Sequence, residues 1–267
     1  MRQITKNILS RYSKLDLEDI LVNRDGKNQA MLFDFDGTIH RGLWPAVLHG
    51  ASYADLSLSL IPHLELSQLK RRAMCAYYIL RDYRHMNAQG YSRGLIEKEM
   101  TVYYCNKFLS GLDIRKVYKA AEWLPRLAYR RSIESLAKMG EKSEITIISK
   151  TIEPIMESYR KRLLKDGLKV GCECNVLLTE DFQIQGMWTP GILCASDKFE
   201  MAAAYLANKE RAVIFGNTSE DLAMHNAAEQ LGIESIMIAV HPRDRQAEWE
   251  ADVIMKSWPE LYSNILR

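Results

Sequence analysis

Two aspartates separated by one residue are the first side chains in the sequence that could do chemistry together. Asp34 and Asp36 lie in the segment QAMLFDFDGT, where an apolar run ends and Gly37 follows. Because side chains two positions apart in an extended chain point to the same side, both carboxylates can face one site. Gly37 allows the sharp turn that this strand end needs. Crowded carboxylates repel each other and favour a cation or a shared proton, so we predict a site that binds one or both.

The ends of later apolar runs supply further polar groups. Ser149 ends EITIIS, Lys198 opens the next predicted helix, and RAVIF leads into Asn217 and Asp221. Ligands of open α/β sheets bind beyond the carboxyl ends of the strands, where these side chains would meet. Carboxylate and amide oxygens suit a hard cation such as Mg²⁺. Each residue alone has an ordinary structural interpretation, such as a helix cap or a surface lysine, so the prediction of a site depends on their combination.

Apolar runs and helical periodicities indicate the elements that position these residues. Strands are predicted at residues 29–35, 144–149, 211–215, 235–240 and 252–255. After Gly140 these runs alternate with helices, which is typical of a doubly wound, mostly parallel sheet in an α/β fold. A β-hairpin is predicted around Glu180, Asp181 and Phe182. Between Trp44 and Gly140 the periodicity is helical, so we predict an inserted α-helical cap domain.

The predicted organisation has three parts. Residues 29–43 and 141–267 form the α/β core, and residues 44–140 form the inserted helical cap. Residues 1–28 precede the core as a predicted N-terminal helical arm. The arm is predicted to be helical because apolar residues recur at helical spacing: Ile4, Ile8, Tyr12 and Leu15.

Composition argues against several classes of partner. The 267 residues carry a formal net charge of +2, which supplies no large basic field for binding nucleic acid. No apolar run approaches the roughly 18 residues that a membrane span needs, so no membrane association is expected. The five cysteines form no disulfide framework, which favours a reducing compartment, and we predict a cytoplasmic protein. The sequence contains no pattern that indicates whether the protein is a monomer or an oligomer.

Together these motifs resemble the haloacid dehalogenase superfamily of aspartate-nucleophile phosphohydrolases, and most closely its branch that includes phosphoserine phosphatase. DFDGT at 34–38 is similar to the first family motif, Ser149 to the second, Lys198 to the third and GNTSED at 216–221 to the fourth. The resemblance extends from Gln29 to Ile254. It implies a Rossmann-like core with a helical cap inserted after the first motif.

The resemblance also implies roles for individual residues. Asp34 would attack phosphorus to form an aspartyl-phosphate, and Asp36 would protonate the leaving oxygen and later activate water. With Ser149 and Lys198 also counted as catalytic, the expected phosphate-binding set is Gly37, Thr38, Ser149 and Lys198. The expected Mg²⁺ ligands are Asp34, Asp36 through its carbonyl, Asn217 and Asp221. The expected partner is a small phosphorylated metabolite, hydrolysed as a phosphomonoester.

Two positions depart from the family pattern. Asn217 stands where the family usually has a metal-binding aspartate. Because an amide oxygen is neutral, we expect a weaker Mg²⁺ site and retained activity with a higher metal requirement. Leu43 stands where phosphoserine phosphatases carry a glutamate that reads the substrate amino group, so phosphoserine is not the expected substrate.

Two other functions stay open on the sequence. Asn217 also fits a catalytically weakened protein that binds a phosphorylated ligand or a protein partner. Phosphotransfer to an acceptor other than water would use the same aspartate nucleophile. Metal-dependent turnover distinguishes the first alternative from a phosphatase, and product analysis distinguishes the second.

Overall fold

The computed structural model describes residues 1–22, 28–43, 51–66, 68–70, 101–188, 191–243 and 245–266, with residues 73, 77, 81, 85–86, 88–90 and 98–99 between them. The strands are β1 (Arg2–Thr5), β2 (Ile8–Ser10), β3 (Gln29–Phe33), β4 (Glu144–Ile152), β5 (Gly171–Asn175), β6 (Leu177–Glu180), β7 (Gln183–Met187), β8 (Arg211–Gly216), β9 (Glu234–Val240) and β10 (Val253–Met255).

The α-helices in the described residues are α1 (Lys14–Val22), α2 (Ala51–Leu60), α3 (Ile114–Ala121), α4 (Ser132–Met139), α5 (Glu153–Lys165), α6 (Ala195–Leu206), α7 (Leu222–Gln230), α8 (Arg245–Glu250) and α9 (Trp258–Asn264). A π-helical turn spans Tyr104–Leu109. Short 3₁₀ turns span Ile61–His63, Leu124–Leu127 and Ser219–Asp221. Within the described residues, no helix has both the length and the apolar character needed to cross a membrane.

An eight-stranded, mostly parallel sheet forms the centre of the fold. Its strand order is β1-β2-β10-β9-β8-β3-β4-β5, and β3 lies between β8 and β4. The strands from β10 to β5 are parallel, whereas β1 and β2 are antiparallel to their neighbours. The predicted α/β class and the predicted core strands are therefore confirmed. Strand β5 was not predicted.

Helices cover both faces of this sheet. Phe33 and Phe215, on neighbouring strands, stack with ring centroids 4.2 Å apart on one face. Leu32 and Ile214 immediately precede these two phenylalanines and belong to a separate apolar cluster on the opposite face of the sheet. Parallel strands that bury both faces read as continuous apolar runs, which is why these strands were recognisable in the sequence.

The predicted helical arm is wrong over residues 2–10. These residues form the hairpin of β1 and β2, and β2 adds to the sheet by pairing with β10 at Ile8 and Met255. Ile8 is fully buried, whereas Leu15 is 69% exposed, so the apolar residues do not share one helical face. Pairing with the free edge of β10 therefore determines the conformation of β2, and the local helical spacing of apolar residues does not. The second part of the arm is helical, as α1.

Two further elements bear on the site. Strand β4 continues past Ser149 to Ile152, with an irregular register between Ile148 and Ile152. The predicted hairpin is confirmed as the antiparallel pair β6 and β7. Its turn residues Asp181 and Phe182 have φ values of 46° and 64°. These positive φ values at both turn residues are those of a type I′ turn, the usual two-residue hairpin connection.

Candidate active site

The ends of three neighbouring strands bring the predicted residues to one edge of the sheet. Asp34 directly follows β3, and its backbone N–H donates to the Phe215 carbonyl of β8 at 2.8 Å. Asn217 directly follows β8. Ser149, on β4, lies two residues beyond Ile147, the last residue that pairs with β3. Asp34 and Asn217 therefore come from the carboxyl ends of β3 and β8, and Ser149 lies on β4 just beyond its pairing with β3, at the edge where α/β folds place their ligands.

A buried lysine connects two of the aspartates. The Lys198 ammonium donates to Asp34 Oδ1 at 2.8 Å and to Asp221 Oδ1 at 2.6 Å. Lys198 is 2% exposed, Asp34 7% and Asp221 0%. Lys198 lies in the first turn of α6, whose start is fixed by Asp197, because the Asp197 carboxylate accepts from the backbone N–H groups of Leu193 and Cys194. The first turn of α6 is thereby held facing the strand ends.

The charges in this cluster are unbalanced, because two carboxylates share one ammonium. Burial and the neighbouring Asp221 charge raise the pKa of Asp34 to about 7, although Lys198 opposes them. Burial also disfavours the Asp221 carboxylate, but Lys198 and the amides of Thr218 and Asn217 outweigh it and hold the Asp221 pKa below its usual range. Burial would lower the Lys198 pKa, yet the two aspartates raise it. The resulting excess of negative charge favours an additional cation when a phosphate binds.

Gly37 and Thr38 shape the turn after β3. Gly37 has a φ of +85°, and a Cβ at this position would come within 1.9 Å of Asn217 Nδ2, so only glycine fits. The Gly37 N–H donates to the His40 carbonyl at 2.8 Å, and the Thr38 N–H to the Phe35 carbonyl at 3.2 Å. These amides are used inside the turn, while the Thr38 hydroxyl lies 3.5 Å from Asp34 Oδ2. The phosphate contact of Gly37 and Thr38 stays a prediction.

Asp36 is held by a residue that the sequence did not single out. The Ser52 backbone N–H donates to Asp36 Oδ1 at 3.0 Å, and the Ser52 hydroxyl donates to Oδ2 at 2.8 Å. Ser149 is 2% exposed, and its Oγ accepts from the Thr151 N–H at 3.1 Å, which leaves its hydroxyl proton for another acceptor. Ser52 lies in a helix with ordinary composition, and no motif marks it.

Asn217 and Asp221 complete the expected cation-binding set. Asp221 Oδ2 accepts from the backbone N–H groups of Asn217 at 2.8 Å and Thr218 at 3.0 Å. Asn217 Nδ2 donates to the Asp36 carbonyl oxygen at 3.1 Å. Turning the Asn217 amide by 180° would place its oxygen against that carbonyl oxygen, and a cation would remove the repulsion between them.

The donor set therefore fits Mg²⁺ through oxygens of Asp34, Asp36 and Asn217. Both oxygens of Asp221 already accept hydrogen bonds, from Lys198 and from backbone N–H groups, so its predicted contact with the metal stays a prediction. Among the residues that the structure describes, no group of three or more His, Cys, Asp or Glu side chains could hold a metal ion. A cation site here therefore depends on an amide and a backbone carbonyl as well as on carboxylates.

A second buried polar group that was not predicted lies behind the turn. His40 Nε2 lies 2.9 Å from Asp55 Oδ2, and His40 Nδ1 lies 2.6 Å from the Tyr159 hydroxyl. The Tyr159 hydroxyl donates to the Leu124 carbonyl at 2.9 Å, so His40 Nδ1 must supply the proton between the two rings. His40 follows the first motif by two residues, and this position is the one sequence signal for its role.

Other groups lie at the mouth of the site. Lys150 forms an ion pair with Glu220 at 2.6 Å. The Arg243 guanidinium carbon lies 3.1 Å from the position of a Cβ on Gly37, and the Arg243 N–H donates to the Asn217 carbonyl at 2.8 Å. Leu43 is 48% exposed. Its N–H donates to the Asp55 carboxylate at 3.3 Å.

Comparisons with known proteins give matches at the level of structure. No family model matches the sequence, and no curated protein matches it. The structure is similar to that of cytosolic 5′-nucleotidase IIIB bound to cytidine, with a TM-score of 0.70, 13% identity, and coverage of 98% of this chain and 92% of that chain.

Two other solved structures show the same likeness. A phosphoserine phosphatase in its apo form has a TM-score of 0.57, 15% identity, and coverage of 88% of this chain and 97% of that chain. A haloacid dehalogenase family hydrolase from Salmonella enterica subsp. enterica serovar Typhi has a TM-score of 0.59, 12% identity, and coverage of 97% and 81%. At these identities the likeness shows a shared fold.

Proposed function

We propose that this chain, which has the fold of haloacid dehalogenase hydrolases, is a Mg²⁺-dependent phosphatase that hydrolyses a small organic phosphomonoester through an aspartyl-phosphate on Asp34. The observation that carries the proposal is the buried cluster in which Lys198 bridges Asp34 and Asp221 at 2.8 and 2.6 Å. Asp36 and Ser149 lie at the same sheet edge. A carboxylate nucleophile, a second carboxylate and a buried ammonium are the groups that phosphoryl transfer through aspartate needs.

In the first step, an Asp34 carboxylate oxygen forms a bond to phosphorus and the bond from phosphorus to the ester oxygen breaks. Asp36 gives its proton to the departing oxygen, so that an alcohol leaves. Lys198 and the Ser149 hydroxyl donate to the phosphoryl oxygens, on which the charge is distributed in the transition state. Lys198 also orients Asp34, because it holds Oδ1 at 2.8 Å.

In the second step, water attacks phosphorus and the bond from phosphorus to the Asp34 oxygen breaks. Asp36, now a carboxylate, accepts the proton from that water. Inorganic phosphate leaves, and both aspartates return to their starting states. When bound by Asp34, the Asp36 carbonyl and Asn217, Mg²⁺ would supply the positive charge that offsets repulsion between the carboxylates and the phosphate.

We propose a small phosphorylated metabolite as the substrate. The similar nucleotidase structure contains cytidine, so nucleoside monophosphates are a reasonable class to test. Phosphoserine is a weaker candidate, because Leu43 offers no charge to bind an amino group and its side chain is 48% exposed.

The test is phosphate release from a panel of phosphoserine, sugar phosphates and nucleoside monophosphates, with either Mg²⁺ or EDTA. We expect turnover with Mg²⁺, none with EDTA, and loss of at least about a thousandfold in Asp34→Asn, because the nucleophile is removed. Asp166→Asn is the matched control, since Asp166 pairs with Arg162 on the surface. It should retain wild-type activity.

The outcomes separate the open functions. Release of phosphate to water supports the phosphatase. Transfer of the phosphoryl group to an added alcohol without release of free phosphate would assign the chain to the phosphotransferases. No turnover with any ester at high Mg²⁺, together with binding of a phosphorylated ligand, would contradict catalysis and support a binding role.

A further inference from the structure

We propose that Ser52, at the beginning of α2, is a positioning residue that sets the orientation of the Asp36 carboxyl group. This inference rests on the proposed phosphatase function, in which Asp36 is the general acid and base. Ser52 belongs to the helical segment between β3 and β4, and Asp36 belongs to the turn after β3. The inserted segment therefore contributes directly to the acid and base of the core.

Both oxygens of the Asp36 carboxylate are bound by this one residue. The Ser52 N–H donates to Oδ1 at 3.0 Å and the hydroxyl donates to Oδ2 at 2.8 Å. Ser52 is fully buried. Two donors on two oxygens fix the rotation of the carboxylate plane, as bidentate pairs do. Loss of the hydroxyl would leave a single hydrogen bond and allow that plane to rotate.

The direction of the hydrogen bonds links Ser52 to the phosphate-binding side of the site. Ser52 has one hydroxyl proton, and Asp36 accepts it. The contact of 3.1 Å between the Ser52 and Thr151 hydroxyls must therefore use the Thr151 proton. The Thr151 N–H in turn donates to Ser149 Oγ. Thr151 thus lies between Ser52 and Ser149, with its hydroxyl on the first and its backbone N–H on the second.

A second contact fixes the position of α2. Asp55 follows Ser52 by three residues and therefore lies on the same face of the helix. Its carboxylate meets His40 at 2.9 Å, and both side chains are buried, at 1% and 0% exposure. His40 lies in the same turn as Asp36, and its carbonyl accepts from the Gly37 N–H. Two adjacent contacts therefore hold the beginning of α2 against the turn that carries the general acid.

The chemical consequence concerns the step in which Asp36 loses its proton. Asp36 can pass its proton to the departing ester oxygen only when its carboxyl plane faces that oxygen, and the two Ser52 donors hold that plane. An alkoxide needs this proton to leave, whereas p-nitrophenolate is a stable anion and needs it much less. Loss of the Ser52 hydroxyl should therefore slow the reaction most for esters whose leaving group depends most on protonation.

The experiment compares kcat/KM for glycerol phosphate and p-nitrophenyl phosphate in the wild type, Ser52→Ala, Ser52→Thr and Ser59→Ala. For Ser52→Ala we expect a loss of about tenfold or more in kcat/KM with glycerol phosphate and about twofold with p-nitrophenyl phosphate. Ser52→Thr keeps the hydroxyl and should restore the wild-type ratio between the two esters. Ser59→Ala is the matched control, because Ser59 Oγ donates to the Leu56 carbonyl of its own helix.

The ratio between the two esters does not depend on how much of the variant is folded, because a loss of folded protein lowers both rates equally. Equal losses with both esters in Ser52→Ala would overturn the role of Ser52 and leave the phosphatase function intact. No phosphate release by the wild type from these two esters or from any ester of the panel above would overturn the proposed function, and the role of Ser52 with it.

Discussion

At the scale of single residues, the buried site disfavours the charged carboxylate form of Asp34, the proposed nucleophile. Burial and the charge of Asp221 raise the Asp34 pKa to about 7, whereas an aspartate in an unfolded chain has a pKa of about 3.9. Between these values the unfolded chain has lost a proton that the folded protein retains. Raising the pH therefore favours unfolding, and the stability associated with protonated Asp34 is complete below about pH 4 and lost as the pH rises through about 7.

We predict that Asp34→Asn is more stable than the wild type at pH 8 in EDTA, by roughly 2 kcal/mol, while it loses activity. The asparagine carries no charge, so the repulsion from Asp221 disappears. Urea unfolding at pH 4 and at pH 8 measures the difference between the two proteins. A difference that stays constant between these two pH values would contradict the raised pKa.

Asn217 is the residue that should set the metal requirement. In Asn217→Asp, a carboxylate replaces the neutral amide beside the Asp36 carbonyl, with which Asn217 is in contact at 3.1 Å. Because ligand charge raises the affinity for a hard cation, we predict that the Mg²⁺ concentration for half-maximal activity falls about tenfold. A titration of phosphate release with Mg²⁺ measures this concentration. Identical titrations for wild type and Asn217→Asp would show that position 217 does not bind the metal.

At the scale of elements, the hairpin of β1 and β2 closes one edge of the sheet. Strand β2 pairs with β10 through Ile8, Leu9 and Ser10. Ile8 is fully buried and packs in the apolar cluster on one face of the sheet. Covering β10 in this way removes an exposed edge that would otherwise be available to another chain.

We predict that Ile8→Ala lowers the free energy of unfolding by about 2–4 kcal/mol, because it leaves a cavity beside β10. Leu15→Ala is the matched control, since Leu15 is 69% exposed and its loss should change stability by less than about 0.5 kcal/mol. Urea unfolding of the two variants makes the comparison. A similar small effect in both would show that the hairpin is not part of the cooperative core.

The same hairpin shows why some elements could not be predicted from the sequence. The core strands carry their own signal, since a strand buried on both faces is apolar throughout. Strand β2 has only three residues, and its pairing partner, β10, lies at the other end of the chain. The two buried residues of β2, Ile8 and Ser10, are too few to show a strand pattern, whereas the neighbouring apolar residues have helical spacing.

The residues of the site likewise divide into those that could be predicted from the sequence and those that could not. Asp34 and Asp221 could be predicted because they belong to motifs that follow strands, and Lys198 because it opens a predicted helix. The structure joins the three through hydrogen bonds. Ser52 could not be predicted, because its role depends on where α2 is placed against the turn after β3. His40 and Asp55 make a contact that needs two separate elements to be folded. Sequence spacing within one element carries no information about such contacts.

At the scale of the whole molecule, the fold brings the proposed nucleophile, Asp34, and the proposed general acid, Asp36, to one edge of a sheet. The core supplies Asp34, Ser149 and Lys198, and the helical segment between β3 and β4 holds Asp36 through Ser52. A proposed nucleophile that directly follows a buried strand would need little reorganisation when a substrate binds. If Asp36 is the general acid, as we propose, its activity should depend on how α2 packs against the turn after β3.

The central claim is that Asp34 forms a covalent bond to phosphorus, and trapping that intermediate tests it most directly. The reaction with a substrate that is turned over is quenched with acid and treated with borohydride. Borohydride reduces an aspartyl-phosphate to homoserine, and mass spectrometry of the digested chain locates the homoserine. We predict that the conversion occurs at residue 34 and is absent in Asp34→Asn. Phosphate release without conversion at residue 34, or with conversion at another residue, would contradict the account.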